Sequence, residues 1–420
     1  PGPALARRAA PGETGAMAST DDIRRWLAEV DLPARLAAEV PGDLAERLRG
    51  AAPAGGESTL RRTLARKLDT GRFPPDFERA MLDTERLNQQ ASSYRAAMYL
   101  GRRLAGAGEG PVWDLCCGAG LDALGLARAG RDVHAVDQSP EALACTLWNA
   151  QLAGMGERVH LRLDPAERVD LADSAIVHVD PDRRATGRRA VGLAGCRPGA
   201  EFLLALPGRT AAGSVKLSPA LDARTLDLPA GVGLEWISEA GVCRQLRLCW
   251  PAEAWGFVVA GSGPPRRATR LGGSWQAPQA DSIQASLAPA PPVAGLPQPG
   301  QILAEPDPAV VAAGAVDDLA AALGAARAAA TLDWLVAPAD LAAHPLARRY
   351  RVLAVGAARK AKVREAIRAC GGGIVSIKTR GLKLDTDELA RQLRGRGDRE
   401  LVVFWGDLRP KRVAIVAERL

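Results

Sequence analysis

Three acidic residues in the middle of this 420-residue chain close short apolar runs. Asp114 lies in Val112–Leu115, just ahead of the small-residue turn Cys116–Gly120. Asp137 ends the run Asp132–Val136, about 20 residues after the first glycine of that turn, where nucleotide folds place a ribose-binding carboxylate. Asp180-Pro181 ends the run Ser174–Val179. Carboxylates at successive strand ends, beside a turn lean enough to admit a ligand to the backbone, make a pocket for a nucleoside. A fourth acid, Asp164, follows a further apolar run at Val159–Leu163.

The glycines alone do not choose the nucleoside, because Gly118-x-Gly120-x-x-Ala123 also fits a dinucleotide fingerprint. Asp114 does. An acid just ahead of the glycines would repel the phosphates of a dinucleotide and would suit the ammonium end of S-adenosylmethionine. At these residues the chain resembles the class I S-adenosylmethionine-dependent methyltransferases. Asp114–Gly120, including Cys116, looks like their first motif, Asp137 followed by Gln138 like the end of their second, and Asp180–Arg184 like their fourth. The resemblance implies that Asp137 holds the ribose hydroxyls and that Asp164 lies beside the adenine. The same acids could instead be helix caps or turn residues.

Methyl transfer is an in-line displacement, so the site must align the acceptor with the methyl carbon. The segment facing the methyl group in this superfamily corresponds to Asp180-Pro181-Asp182-Arg183-Arg184. It lacks the second proline and the aromatic residue on which a flipped base would stack. Asp180 could accept a hydrogen bond from an acceptor amine. Arg183, Arg184, Arg188 and Arg189 could clamp phosphates, or one of them could pair with Asp180 or Asp182. Cys116 and Cys117 occupy the turn, where small side chains are wanted, and Cys196 sits in no nucleophile motif, so covalent catalysis is not expected.

These residues need a doubly wound sheet to position them. The strand, turn and helix pattern from Val112 to Ala129 starts it, and residues 106–262 are read as its domain. Ahead of it, residues 1–18 read as a disordered leader, with Met17 a candidate start, and 19–105 as a helical region. Its last member is a long helix from Phe77 to Leu104, whose polar Gln89–Ser93 either faces solvent or brings Gln90 or Ser93 to the ligand edge. On the helix after Asp137, Asn149 could reach a loop backbone or simply pack. Glu201–Leu206 reads as a strand, PGRTAAGSVKLSPAL as a loop and helix, and Leu234–Ile237 with Val242–Leu248 as an antiparallel pair. Residues 263–300, rich in Pro, Gly, Ala and Ser, read as a linker or irregular edge. Residues 301–345 read as an acidic turn and an alanine-rich helix, and 346–420 as a small α/β domain.

The net charge is +7, a modest basic excess compatible with a polyanionic partner. Seven scattered cysteines with no Cys-x-x-Cys fit a reducing, cytoplasmic setting and no metal site. No apolar run reaches the roughly 18 residues of a membrane span. The C-terminal cations Lys360, Lys362, Lys378 and Arg380 fall on consecutive elements and could meet a phosphate backbone, or simply be solvated. ILAEPDPAVVAAG, VKLSP, EWISEAG and GGGIVSIKTRGLKLDTDELARQL together resemble bacterial class I methyltransferases that end in a THUMP-like domain. That resemblance implies an RNA substrate, with tRNA one candidate, although THUMP modules usually precede their catalytic domain. A methyltransferase of a small metabolite or protein, and a non-catalytic RNA-binding protein on the same fold, are the competing readings. A nicotinamide enzyme lacks a His/Arg pair to support it.

Overall fold

The computed structural model describes residue 72 and residues 91–420, other than 184–191, 262, 276, 287–292, 381 and 409–410. The leader, most of the N-terminal helical region, Gln89, Gln90, Arg184, Arg188 and Arg189 therefore lie outside the described residues. The rest forms two compact units. One comprises the chain up to Leu234 with Gln245–Val259 and Leu271–Ala280. The other comprises Glu235–Arg244, Ala260–Arg270 and Asp281–Leu420.

The first unit opens with α1 (Tyr94–Leu104), followed by β1 (Val112–Leu115), α2 (Leu121–Arg128), β2 (Val133–Asp137), α3 (Pro140–Leu152) and β3 (Val159–Leu163). Next come β4 (Ile176–Val179), α4 (Ala200–Ala205) and β5 (Ala212–Leu217). Then come β6 (Gly233–Glu239), β7 (Val242–Trp250), β8 (Arg266–Gly273) and β9 (Pro278–Ala285), whose residues are divided between the two units. The sheet order is β3-β2-β1-β4-β5-β7-β6-β8-β9. The pairs among β3, β2, β1, β4 and β5 are parallel, and β7 joins β5 antiparallel. The chain runs outward from β1 to β3 and returns to β4 on the other side of β1, so the loops diverge between β1 and β4. Ligands bind at such a switch point, outside the carboxyl ends of the strands. β4 is buried along its whole length, which is why it reads as an apolar run broken only by His178.

Several sequence expectations are corrected here. The long helix from Phe77 does not run through to Leu104. Ala91–Ser93 are extended, and Ser93 caps α1 by accepting the Ala96 N–H. Glu201–Leu206 is helical rather than a strand, with Leu203 and Leu206 buried at i, i+3 spacing. The strand instead falls at β5, inside the stretch read as loop and helix. Its Gly213 hides the pattern, because a Cβ there would lie 2.5 Å from the Trp250 ring. The expected linker contains β8 and β9. Their buried positions include Arg267 and Thr269, satisfied by Glu235 at 2.9 and 2.6 Å, so no apolar alternation marks them.

The second unit holds β10 (Ile302–Pro306), α5 (Pro308–Ala313), α6 (Val316–Ala322), β11 (Ala326–Ala329), β12 (Leu332–Ala337) and β13 (Ala347–Ala357). It continues with α7 (Lys360–Ala369), β14 (Gly372–Arg380), α8 (Thr386–Leu393), β15 (Arg399–Leu408) and β16 (Lys411–Arg419). The segment expected as turn and helix thus supplies three strands to a sheet ordered β11-β12-β10-β13-β16-β15-β14. Trp334, Tyr350 and Phe404 fill one face. Val363, Ile367, Leu389 and Leu393 of α7 and α8 cover the other.

Candidate active site

A cleft of about 540 Å³ opens at the carboxyl edge of the first sheet. That size suits a ligand of nucleoside dimensions or somewhat larger. Its lining includes Cys116–Ala119, Asp137–Ser139, Asp164–Glu167, Ser92, Asp122, Asp180–Arg183 and Cys196–Gly199.

The turn after β1 is held in an unusual shape. Cys116, Gly118 and Gly120 all have positive φ, at 62°, 57° and 79°. For Cys116, which carries a Cβ, that conformation costs about 1–2 kcal/mol. The turn is pinned from α3, where Thr146 donates to the Gly118 carbonyl at 3.0 Å and Asn149 to the Ala119 carbonyl at 2.8 Å. Asn149 therefore does reach the loop backbone. Asp137 ties the turn to β2. Its Oδ2 accepts the Gly118 N–H at 3.0 Å and its Oδ1 the Ser139 N–H at 2.8 Å. Asp164 is ion-paired with Arg162 at 2.8 Å.

Beneath the cleft runs a buried polar strip. In the parallel sheet Asp114 lies opposite His178, and His178 opposite Ser214. Two residues on from Ser214, on the same face of β5, stands Lys216, opposite Arg247 of β7. Lys216 Nζ contacts Asp180 Oδ2 at 2.5 Å and donates to Ser92 Oγ at 2.9 Å. Ser92 in turn donates to Asp122 Oδ2 at 2.6 Å. His178 Nε2 lies 3.6 Å from that same oxygen, and its Nδ1 is 2.8 Å from Ser214 Oγ.

This strip sets the charge states. Burial would raise the Asp122 carboxyl, but the nearby His178, with the charges of Lys216 and Arg247, outweighs it and holds Asp122 below the usual carboxylate range. Asp114 moves the other way. Burial first, then the charges of Asp122 and Asp180, push it well above its ordinary value, against the Ala123 N–H and Lys216. Among the described residues no side chain hydrogen-bonds either of its oxygens. Burial also raises the thiols of Cys116 and Cys117, reinforced by Asp137 and the neighbouring acids. Burial raises Cys196 too, against Arg183. None of the three is poised as a thiolate nucleophile.

Of the sequence-predicted residues, Cys116, Gly118, Asp137, Gln138, Asp164, Asp180, Pro181 and Arg183 line the cleft. Asp114, 1% exposed, lies below its floor rather than on it. Gly120 is not on the lining either. It faces Thr146, whose Cγ2 a Cβ would approach to 2.8 Å. In the second unit the four expected phosphate contacts have intramolecular partners. Lys360 donates to Gln392 at 2.6 Å, and Lys362 pairs with Glu365 at 3.0 Å. Lys378 pairs with Glu305 at 2.7 Å, and Arg380 lies 3.9 Å from both Glu305 and Asp333. Lys216, Asp122, His178 and Thr146 were missed by sequence reasoning. Lys216 went unseen because its strand was read as a loop. Asp122, an acid in the first turn of α2, carried the clearest overlooked signal.

Among the described residues no group of three or more His, Cys, Asp or Glu side chains could hold a metal ion. No helix there is long and apolar enough to cross a membrane.

Comparison with known proteins follows the same division. The THUMP domain-like family matches residues 347–419, and the RNA cap guanine-N2 methyltransferase family matches residues 110–170. Over 353 residues the chain is 32% identical to an uncharacterized S-adenosylmethionine-dependent methyltransferase of Mycobacterium tuberculosis, found in strains CDC 1551 and H37Rv. The match covers 82% of this chain and 89% of that one. A crystal structure from Porphyromonas gingivalis W83, assigned as a methyltransferase, has the same fold. Its TM-score is 0.66 at 18% identity, over 94% of this chain and 97% of the other. With a relative that similar over most of both chains, this chain belongs to the S-adenosylmethionine-dependent methyltransferases, and its C-terminal region is THUMP-like.

Proposed function

We propose that this methyltransferase acts on RNA, with tRNA one candidate, and that its acceptor is an exocyclic amine presented to Asp180. The observation that carries this reading is the Asp180-Pro181 strand end at the cleft, with Asp180 fixed by Lys216 at 2.5 Å. A fixed carboxylate accepts a hydrogen bond from an N–H donor and so aims the nitrogen lone pair. The matched RNA cap guanine-N2 methyltransferase family also supports it, although that match ends at residue 170, ahead of Asp180. The THUMP-like match supports RNA from the other end of the chain.

The residues present fit the cofactor. Asp114, buried beneath the cleft with neither carboxyl oxygen hydrogen-bonded by a described side chain, releases its proton and gains a counter-charge when a cationic amino-acid end binds above it. In this reading Asp137 and Gln138 hold the ribose, Asp164 flanks the base, Cys116, Gly118 and Gly120 shape the turn, and Asp114 supplies charge from below. When bound, S-adenosylmethionine supplies an electrophilic methyl carbon and a thioether leaving group. Asp180 orients the acceptor amine, whose proton passes to it or to solvent water. Pro181 stiffens the strand end, and Arg183, Arg184, Arg188 and Arg189 contact substrate phosphates. Residues 106–262 are the catalytic region, 346–420 handle substrate, and the free cysteines fit a cytoplasmic enzyme.

One observation favours a small metabolite or protein acceptor instead. Lys360, Lys362, Lys378 and Arg380 all have intramolecular partners. Transfer of label from S-adenosylmethionine into total RNA, before and after nuclease treatment, decides between them. Nuclease-sensitive label in an exocyclic N-methyl nucleoside is expected. Absence of label in RNA, with cofactor binding intact, would overturn the RNA reading.

A further inference from the structure

Lys216 has no part in binding the cofactor on the reading above, yet it is built into the site. It sits on β5, one strand over from Asp180, and is 5% exposed. A lysine in the middle of a sheet is held there only if its ammonium is fully engaged. Here it joins two residues of the cleft lining, Asp180 and Ser92. Ser92 has one proton, and it goes to Asp122. Its oxygen must then accept from Lys216, which fixes the direction of the bonds from Lys216 to Asp122.

We infer that Lys216 is a positioning residue for methyl transfer. It holds Asp180 by Oδ2, leaves Oδ1 for the acceptor, and sets the distance between Asp180 and Ser92. The inference rests on Asp180 being the group that meets the acceptor. Asp180 is 19% exposed at the side chain and lines the cleft, so a ligand can reach it, whereas Lys216, at 7%, is not on the lining. Replacing Lys216 by methionine keeps the length of the stem and removes the contact. Replacing it by arginine keeps the charge and alters the fit.

The test compares Lys216→Met, Lys216→Arg and Ser92→Ala with the unaltered protein. S-adenosylmethionine binding is measured by calorimetry, and kcat and KM by label transfer into pooled RNA. Lys216→Met is expected to bind S-adenosylmethionine within about threefold of the unaltered protein and to lose about 100-fold in kcat at nearly constant KM, the cost of misplacing one reacting partner. Lys216→Arg should recover about tenfold of that loss. A kcat for Lys216→Met within threefold of normal, or no recovery with arginine, overturns the inference. Should Lys216→Met not fold or not bind cofactor, Ser92→Ala decides. A fall of about tenfold in kcat with binding retained supports positioning, and an unchanged kcat refutes it. If the unaltered protein labels no RNA, the RNA reading fails by itself. Positioning is then decided by a crystal structure of Lys216→Met with S-adenosylhomocysteine. A displaced Asp180 carboxylate upholds the inference, and an unmoved one overturns it.

Discussion

Gly125, inside α2, offers a substitution whose sign separates two physical effects. Helix propensity alone makes Gly125→Ala stabilising by about 0.5–1 kcal/mol. The packing of α2 against α1 says otherwise. A Cβ at Gly125 would stand 2.0 Å from the Ala97 carbonyl oxygen and 2.4 Å from its carbon, and both atoms are backbone. The reverse contact is as tight, since a Cβ on Gly101 of α1 would lie 1.9 Å from the Gly125 oxygen. No side chain can rotate away, so the helices must part by roughly 1 Å, an overpacking cost of about 1–3 kcal/mol or more. The net expectation is a loss of about 1–2 kcal/mol, or a fall in melting temperature of about 2–4 °C for each kcal/mol in a domain of this size. The damage should reach the cleft, because Ser92 directly precedes Ser93, the N-cap of α1, and Asp122 lies on α2, and Ser92 and Asp122 are joined at 2.6 Å. Urea unfolding with S-adenosylmethionine calorimetry reads both effects. Gly106→Ala, where no atom lies within 4 Å of the added Cβ, is the control. A Gly125→Ala protein at least as stable as normal, with unchanged affinity, would refute the argument.

Cofactor affinity should rise with pH. Asp114 titrates above its ordinary value in the free protein, and a cationic ligand favours its ionised form, so binding expels a proton. Calorimetry should show affinity climbing from the ordinary carboxylate range up to the raised titration of Asp114, then levelling. By the same sign, Asp114 in the free protein loses stability as pH rises through that window, since the native state binds the extra proton. A flat profile, or one unchanged in Asp114→Asn, would contradict this. Asn149→Ala strips the Ala119 carbonyl of its donor and should cost about 1–3 kcal/mol in denaturation; a loss within 0.5 kcal/mol of zero, about the size of an ordinary surface substitution, would count against the pinning of the turn. Cys116 lines the cleft but has a raised thiol, so iodoacetamide near pH 8 should modify it about tenfold more slowly than free cysteine; labelling at the free rate would disprove that assignment. Lys378→Ala leaves Glu305, 7% exposed, without its lysine and should destabilise by about 1–3 kcal/mol while changing RNA affinity little. A loss of RNA affinity without a loss of stability would reverse that reading.

What the sequence determined by itself was local and periodic. The run Val112–Leu115, the glycine turn and the helix after it were legible because a buried parallel strand is a short apolar run and the turn demands small residues. The same holds for Asp137 and Asp180 as strand ends, and for the α/β alternation after Tyr350. Tertiary structure decided whatever depended on a partner distant in sequence. β5 was hidden because Trp250 covers Gly213, and a strand packed that closely loses its side-chain pattern. β8 was hidden because its buried face holds Arg267 against Glu235, so polarity stood where alternation was sought. The depth of Asp114 below the cleft and the pairing of Lys378 with Glu305 were likewise decided in three dimensions. So was the joining of Lys216 to Asp180, 36 residues apart in the chain. A residue's type and neighbours fix its element and its formal charge. Its burial and the charges facing it, which set what that charge can do, come from strands that meet only when the sheet closes.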